Sequence, residues 1–232
     1  MKTLTGKKLQ LAHRIYLVLA ALFICSLVVS NLIFQKFFYW NPFGWFNFEI
    51  SVGLLPYPIT FLVTDLVSEI YGRRKANDLV LAGIFASVFS LGIIAVADVA
   101  PAIDASPIQD AVFNKVFGAT TIAVMASMTA YLFAQFIDIQ IYHFWKRITG
   151  GKMLWLRNNF STIFSQFVDT MSVLLLLCYY EVLSWEQFWP LLIAGFLFKM
   201  LVALLDTPLL YGGVFIFRRL FGLEMGEEIK ID

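Results

Sequence analysis

The chain has 232 residues, 60% of them hydrophobic and 14% charged, with a net charge of +1. Soluble domains carry roughly 25% charged residues, and a mean hydropathy of +0.78 points instead to a single integral membrane domain over residues 1–232, with no separate soluble domain. The net charge itself says nothing about nucleic acid, because the cations lie in loops between apolar runs; no nucleic-acid partner is expected.

Taken from the N-terminus, Lys7, Lys8 and Arg14 precede an apolar stretch without a small-x-small cleavage site. It reads as a retained first span rather than a signal peptide. Six spans are predicted, near 13–34, 53–72, 77–99, 118–144, 158–181 and 189–217, each close to the roughly 20 residues that a bilayer requires. The expected fold is all-α, one bundle of six transmembrane helices. Cys25 and Cys178 fall inside apolar segments and read as packing residues, not as a disulfide or metal pair.

Residues 35–49 form an aromatic-rich first outer loop, read either as an interfacial belt or as a lid over a mouth. Next comes the most informative stretch, P-I-T-F-L-V-T-D-L-V-S-E-I-Y-G-R-R-K-A at 58–76. It places Asp65 and Glu69 four residues apart on one helix face, where like charges repel, so a cation or a proton is needed between them. Glu69 also lies four residues before Arg73; a structural ion pair and a substrate contact both fit that spacing. Pro56-Tyr57-Pro58 cannot sit in mid-helix, so the regular helix is expected to start at Pro58 and run for about 15 residues, about 22 Å. Gly72 is expected to end it, with Arg73, Arg74 and Lys75 complementing its C-terminal end. Shortened helices at membrane depth often mark binding sites.

In the second outer loop, Ser106-Pro107-Ile108-Gln109 carries a helix-start signal and predicts a short amphipathic surface helix. Beyond it, three polar stripes follow helical spacing. The fourth span aligns Ser127, Tyr131, Gln135, Asp138 and Tyr142. The fifth aligns Asn158, Thr162, Ser165, Gln166, Asp169, Ser172 and Tyr180. The sixth aligns Gly195, Lys199, Asp206 and Gly213, with Pro208 expected to interrupt it. A charge at mid-bilayer costs about 3 kcal/mol unless paired or wet, so three acid-bearing stripes are expected to converge on one cavity; helix–helix glue is the alternative. Q-F-I-D at 135–138 and Q-F-V-D at 166–169 each set an amide beside a carboxylate on one face. That grouping suits a flat heterocycle with a guanine-like edge.

Fourteen of the 17 cations flank one side of the predicted spans: Lys2, Lys7, Lys8, Arg14, Arg73, Arg74, Lys75, Lys146, Arg147, Lys152, Arg157, Arg218, Arg219 and Lys230. This bias predicts both termini in the cytoplasm. His13 and His143 are the only histidines, no Cys/His metal cluster is present, and no hydrolase or phosphate-loop motif occurs. No metal, cofactor or enzymatic activity is expected, and the chain carries no ATPase of its own.

The 58–76 block resembles the signature of the bacterial queuosine-precursor transporters, a family earlier labelled as vitamin-uptake transporters. W-L-R-N-N-F-S-T-I-F-S-Q-F-V-D-T at 155–170, L-V-A-L-L-D-T-P-L-L-Y at 201–211 and A-Y-L-F-A-Q-F-I-D-I-Q-I-Y-H-F-W-K at 130–146 are similar to it as well. The resemblance implies a six-helix importer of 7-deazaguanine bases in the bacterial inner membrane, serving queuosine salvage for tRNA. Its partners would be the small-molecule substrate and the lipid bilayer, with a homo-oligomer among the open alternatives. Carried over by position, the substrate-binding candidates are Asp65, Glu69, Arg73, Gln135, Asp138, Asn158, Gln166, Asp169, Lys199 and Asp206. The competing reading is the substrate-binding subunit of an energy-coupling-factor vitamin transporter that needs a separate ATPase module; a membrane enzyme is a third.

Overall fold

A computed structural model describes residues 2–33, 36–41, 44, 48–118, 121–150, 152–181 and 184–231, and of these the side chains of 37, 48, 49, 118, 121–124, 126, 127, 131 and 157 are outside the description. Most of the aromatic-loop tip, and the side chains of Ser127, Tyr131 and Arg157, therefore lie outside the described residues.

The helices are α1 (Gly6–Ile33), α2 (Tyr57–Ile70), α3 (Gly72–Val99), α4 (Asp110–Phe113), α5 (Thr121–Ile148), α6 (Leu154–Tyr179) and α7 (Trp185–Phe221). Four of them, α1, α3, α6 and α7, are long and apolar enough to cross a membrane. Helix α2 has 14 residues with a proline at its start, as its Pro-Tyr-Pro entry dictates. It spans about 21 Å, short of a bilayer core.

The bundle is polar inside and apolar outside. Leu17, Val18, Phe85, Phe89, Val96, Leu205 and Phe215 are exposed, while Thr64, Asp65, Glu69, Gln135, Asp138, Ser165 and Asp169 are buried. In water this arrangement would strand large apolar surface in solvent; in lipid it costs nothing, and the polar groups gain partners across helices. Helix α2 is the hub, packing against α1, α3, α5 and α7, while α5, α6 and α7 pack in sequence. Small residues set the closest approaches. A Cβ at Gly195 would lie 3.4 Å from Thr170 on α6, and one at Gly213 would lie 3.3 Å from Leu66 on α2.

Several expectations are corrected. Helix α3 begins at Gly72, so Arg73, Arg74 and Lys75 occupy its first turn instead of a loop after α2. Helix α7 runs unbroken through Pro190 and Pro208; at 37 residues it is about 56 Å long. The second outer loop forms only a four-residue helix from Asp110, followed by a π-turn over Asn114–Gly118. The Ser106 hydroxyl donates to the Ile108 carbonyl instead of capping a helix. The aromatic loop contains an antiparallel hairpin, β2 (Phe37–Trp40) with β3 (Phe48–Ser51), which helix-centred reading did not anticipate.

At the opposite end, β1 (Lys2–Thr3) pairs in parallel with β4 (Ile229–Lys230). Ile229, Ile231 and Leu223 are buried in the main core. This pairing presses the Glu228 carboxylate onto Gly72, which has φ +84° and no room for a Cβ on that side. Gly72→Ala meets both the left-handed backbone and the Glu228 side chain. Left-handed geometry alone costs an L-residue about 1–2 kcal/mol, so thermal unfolding of the purified variant is expected several degrees below wild type, and an unchanged midpoint would contradict this packing.

Candidate functional site

Two charged clusters occupy the bundle interior at different depths. The first lies near the hairpin end. The Lys199 Nζ on α7 is ion-paired with Asp169 Oδ2 on α6, and the Tyr57 hydroxyl at the start of α2 donates to the same oxygen at 3.0 Å. The Lys199 ammonium also lies 4.8 Å from the Tyr57 ring centroid, within cation–π range. One side chain thus fixes both the acid and the base. Sequence reasoning missed Tyr57, although its place between two prolines at a helix start pins it toward the interior.

These groups border a cleft of about 300 Å³, including its open mouth, lined by Leu54, Tyr57, Pro58, Phe61, Thr162, Gln166, Phe198, Lys199, Val202, Ala203 and Asp206. Much of that space is open mouth; the enclosed part, about 20 Å³, is far below the size of a small-molecule site, so a ligand enters only if the cleft widens. Its walls combine aromatic faces with an ammonium, a half-buried carboxylate and an amide. Among the described residues, buried Gln166 Oε1 has no hydrogen-bond partner, nor has Asp169 Oδ1. Trp40 of the hairpin packs edge-on against Phe198, with centroids 5.1 Å apart, so the aromatic loop does reach the cleft.

Behind the cleft wall lies a second polar layer. The Thr162 hydroxyl, itself a lining group, donates to Asp65 Oδ2 at 3.4 Å. Ser165 donates to Asp138 Oδ1 at 2.9 Å, and Thr64 donates to Gln135 Oε1 at 3.2 Å. Thr162 and Ser165 lie one turn apart on α6, so the Asp65 and Asp138 carboxyls approach the same stretch of that helix.

The second charged cluster lies near the chain termini. Glu69 is buried and accepts from Arg218 Nη2 on α7 at 2.8 Å and from the Tyr142 hydroxyl on α5 at 3.1 Å. Lys146 Nζ sits 3.4 Å from Glu69 Oε2 and 2.9 Å from Glu228 Oε1. Arg73, by contrast, is exposed and donates to Gln140. A removed partner here would strand a buried charge, so this cluster joins α2, α5, α7 and the C-terminal strand.

Of the ten sequence candidates, Gln166, Lys199 and Asp206 line the cleft, with Asp169 held against Lys199. Asp65, Gln135 and Asp138 form the layer behind it. Asn158 is buried, and its carbonyl accepts from Ser161 at 3.2 Å. Glu69 sits a turn away from Asp65 in the terminal-end cluster, and Arg73 lies exposed at that end, bonded to Gln140. Arg218, Lys146 and Glu228 were not among the candidates; the available signal was the need of Glu69 for a cation at its own depth.

Comparison with known proteins fits this architecture. The family model described as "Putative vitamin uptake transporter" matches residues 51–213. The chain belongs to this transporter family. It therefore resides in a membrane and moves a small molecule, and it is not an enzyme. The matched region begins at the end of β3 and takes in α2 through more than three-quarters of α7. A "Probable queuosine precursor transporter" of Bacillus subtilis (strain 168) is 26% identical over 167 residues, covering 72% of each chain. No solved structure matches the chain.

Removing the cation from the first cluster leaves Asp169 buried and unpaired. Breaking a buried pair costs about 3–5 kcal/mol, so Lys199→Met is expected to lower the unfolding midpoint sharply. Adding Asp169→Asn removes the stranded charge and should recover most of that loss. Equal stability of Lys199→Met and wild type would show that the pair carries no such weight.

Proposed function

We propose that this transporter imports queuosine precursors of the 7-deazaguanine class across the bacterial inner membrane, with six spans and both termini in the cytoplasm. The observation that carries the substrate assignment is the cleft chemistry. A 7-deazaguanine has a flat ring, a lactam carbonyl and an amidine-like edge with two parallel N–H donors. Tyr57, Phe61 and Phe198 offer ring faces for stacking. Lys199 can donate to the lactam oxygen. The half-buried Asp206 carboxylate can accept the two parallel N–H groups, and the unsatisfied Gln166 Oε1 can accept a further one. The name of the Bacillus subtilis relative supports the same substrate class.

The topology rests on charge and packing together. Arg73, His143, Lys146, Arg147 and Glu228 surround one open pocket at the terminal end, so cations from α3 and α5 gather where the termini meet. An excess of Lys and Arg marks the cytoplasmic side. Helices α2 and α5 supply the spans that complete the four long apolar ones.

The direct test is salvage. The chain is expressed in a strain that can neither make nor import the precursor, the medium is supplemented with it, and queuosine is measured in tRNA. Restoration without any added partner protein is the expected result; no restoration with the protein present in the membrane would defeat the proposal. Gln166→Leu separates binding from folding. Because Oε1 has no partner, its removal is expected to leave stability unchanged or improved while lowering uptake about tenfold, the value of one hydrogen bond worth about 1.4 kcal/mol. Unimpaired uptake would remove Gln166 from the site. A compartment-sensitive reporter after Lys230 is expected to be active inside, and one inserted at Gly44 active outside; the reverse pattern would invert the topology.

A further inference from the structure

The buried acids divide by what neutralises them. Glu69 has Arg218 and Lys146. Asp169 has Lys199. Asp65 on α2 and Asp138 on α5 have no cation bound to them among the described residues; they accept from Thr162 and Ser165, which lie one turn apart on α6. Both are at least 97% buried, with exposures of 3% and 0%. Among the described residues no donor bonds to Asp138 Oδ2. Two buried carboxylates that face the same stretch of one helix with no cation bound to either cannot readily both ionise, and the usual outcome is one shared proton.

We propose that Asp65 and Asp138 form a proton-binding dyad and that this proton is carried with the substrate. The proposal rests on the transport reading above and deepens it by assigning the driving ion. Binding forms one O–H bond on either carboxylate, the other accepting it, and release breaks that bond; no other reactant is needed. The helices that carry the dyad and its hydroxyl partners, together with α7, bring further charged and titratable groups. Glu69 lies one turn along α2, already engaged by its cations. Tyr142 lies one turn along α5 and donates to Glu69. Asp169 lies one turn along α6, held by Lys199 and Tyr57. Helix α7 contributes Asp206 and Lys199, both on the cleft wall.

Thr162 connects the dyad to the substrate. It lines the cleft and donates to Asp65. A substrate that engages this wall perturbs the hydroxyl that stabilises an ionised Asp65, so occupancy of the cleft and protonation of the dyad are linked. Such linkage is reciprocal: protonation alters substrate affinity by the factor with which substrate alters proton affinity.

Two measurements decide it. Purified wild-type protein at neutral pH is expected to show an infrared carboxylic-acid carbonyl band that the near-isosteric Asp65→Asn/Asp138→Asn double variant lacks. Identical spectra in this region from two folded proteins would overturn the dyad. In vesicles holding the wild-type protein, a labelled 7-deazaguanine precursor is expected to accumulate about tenfold for an inward gradient of one pH unit, the equilibrium ratio for one proton per substrate. A sodium gradient of the same size should give none. Accumulation driven by sodium, or equal on both sides whatever the pH, would overturn the coupling. If no labelled precursor exchanges under any condition, the substrate assignment fails, and the infrared band still decides the proton site by itself.

Discussion

A charge withdrawn from water into a bundle of apolar helices must meet an opposite charge or a proton, because desolvation costs several kcal/mol per ion. That constraint organises this protein. Glu69 on α2 binds cations from α5 and α7, and Asp169 on α6 binds one from α7. Each pair crosses between helices, so each also fixes a helix position. The charges the bilayer makes most costly are thus the ones that hold the bundle in register. The apolar residues, facing outward on α1, α3 and α7, decide that the bundle sits in a membrane but contribute little to its internal specificity.

The interior is graded along α2. At its start Tyr57 and Pro58 border the cleft. Two turns on, Thr64 and Asp65 join the polar layer. A further turn brings Glu69 into the ionic cluster beside the terminal strands. A helix of 14 residues can do this because it need not span lipid by itself; its neighbours on several sides satisfy what its length leaves out. The short helix therefore places a binding cleft, a polar relay and a closed end on one axis.

Much of this was legible in the sequence. The shortened, proline-started α2 follows from backbone sterics, which are local. The inward orientation of Asp65, Asp138, Gln166, Asp169 and Lys199 follows from helical periodicity and the cost of burying charge. Partner choice was not legible. Arg73 sits four residues from Glu69 and seemed its natural mate, but the new helix begins at Gly72, whose φ of +84° redirects the chain. Arg73 then bonds to Gln140, while Arg218, 149 residues distant, takes the carboxylate. The β-hairpin was hidden too, since its aromatic run has no single strong period. The Tyr57–Asp169 bond joins residues 112 apart, a distance that no local pattern encodes.

The same long-range partnership bears on biosynthesis. Chains emerge N-terminus first at about 5–20 residues per second, so Arg218 follows Glu69 by about 7–30 seconds at that pace. Lys146 arrives between them, and Glu228 last. Helix α2 must therefore reach the bilayer while its acid still lacks the cations that will hold it. A short helix with a charged C-terminal turn can wait at the headgroup boundary through that interval, where a long one would be committed to lipid. The brevity of α2 thus suits the order in which the protein is made as well as the cleft it lines.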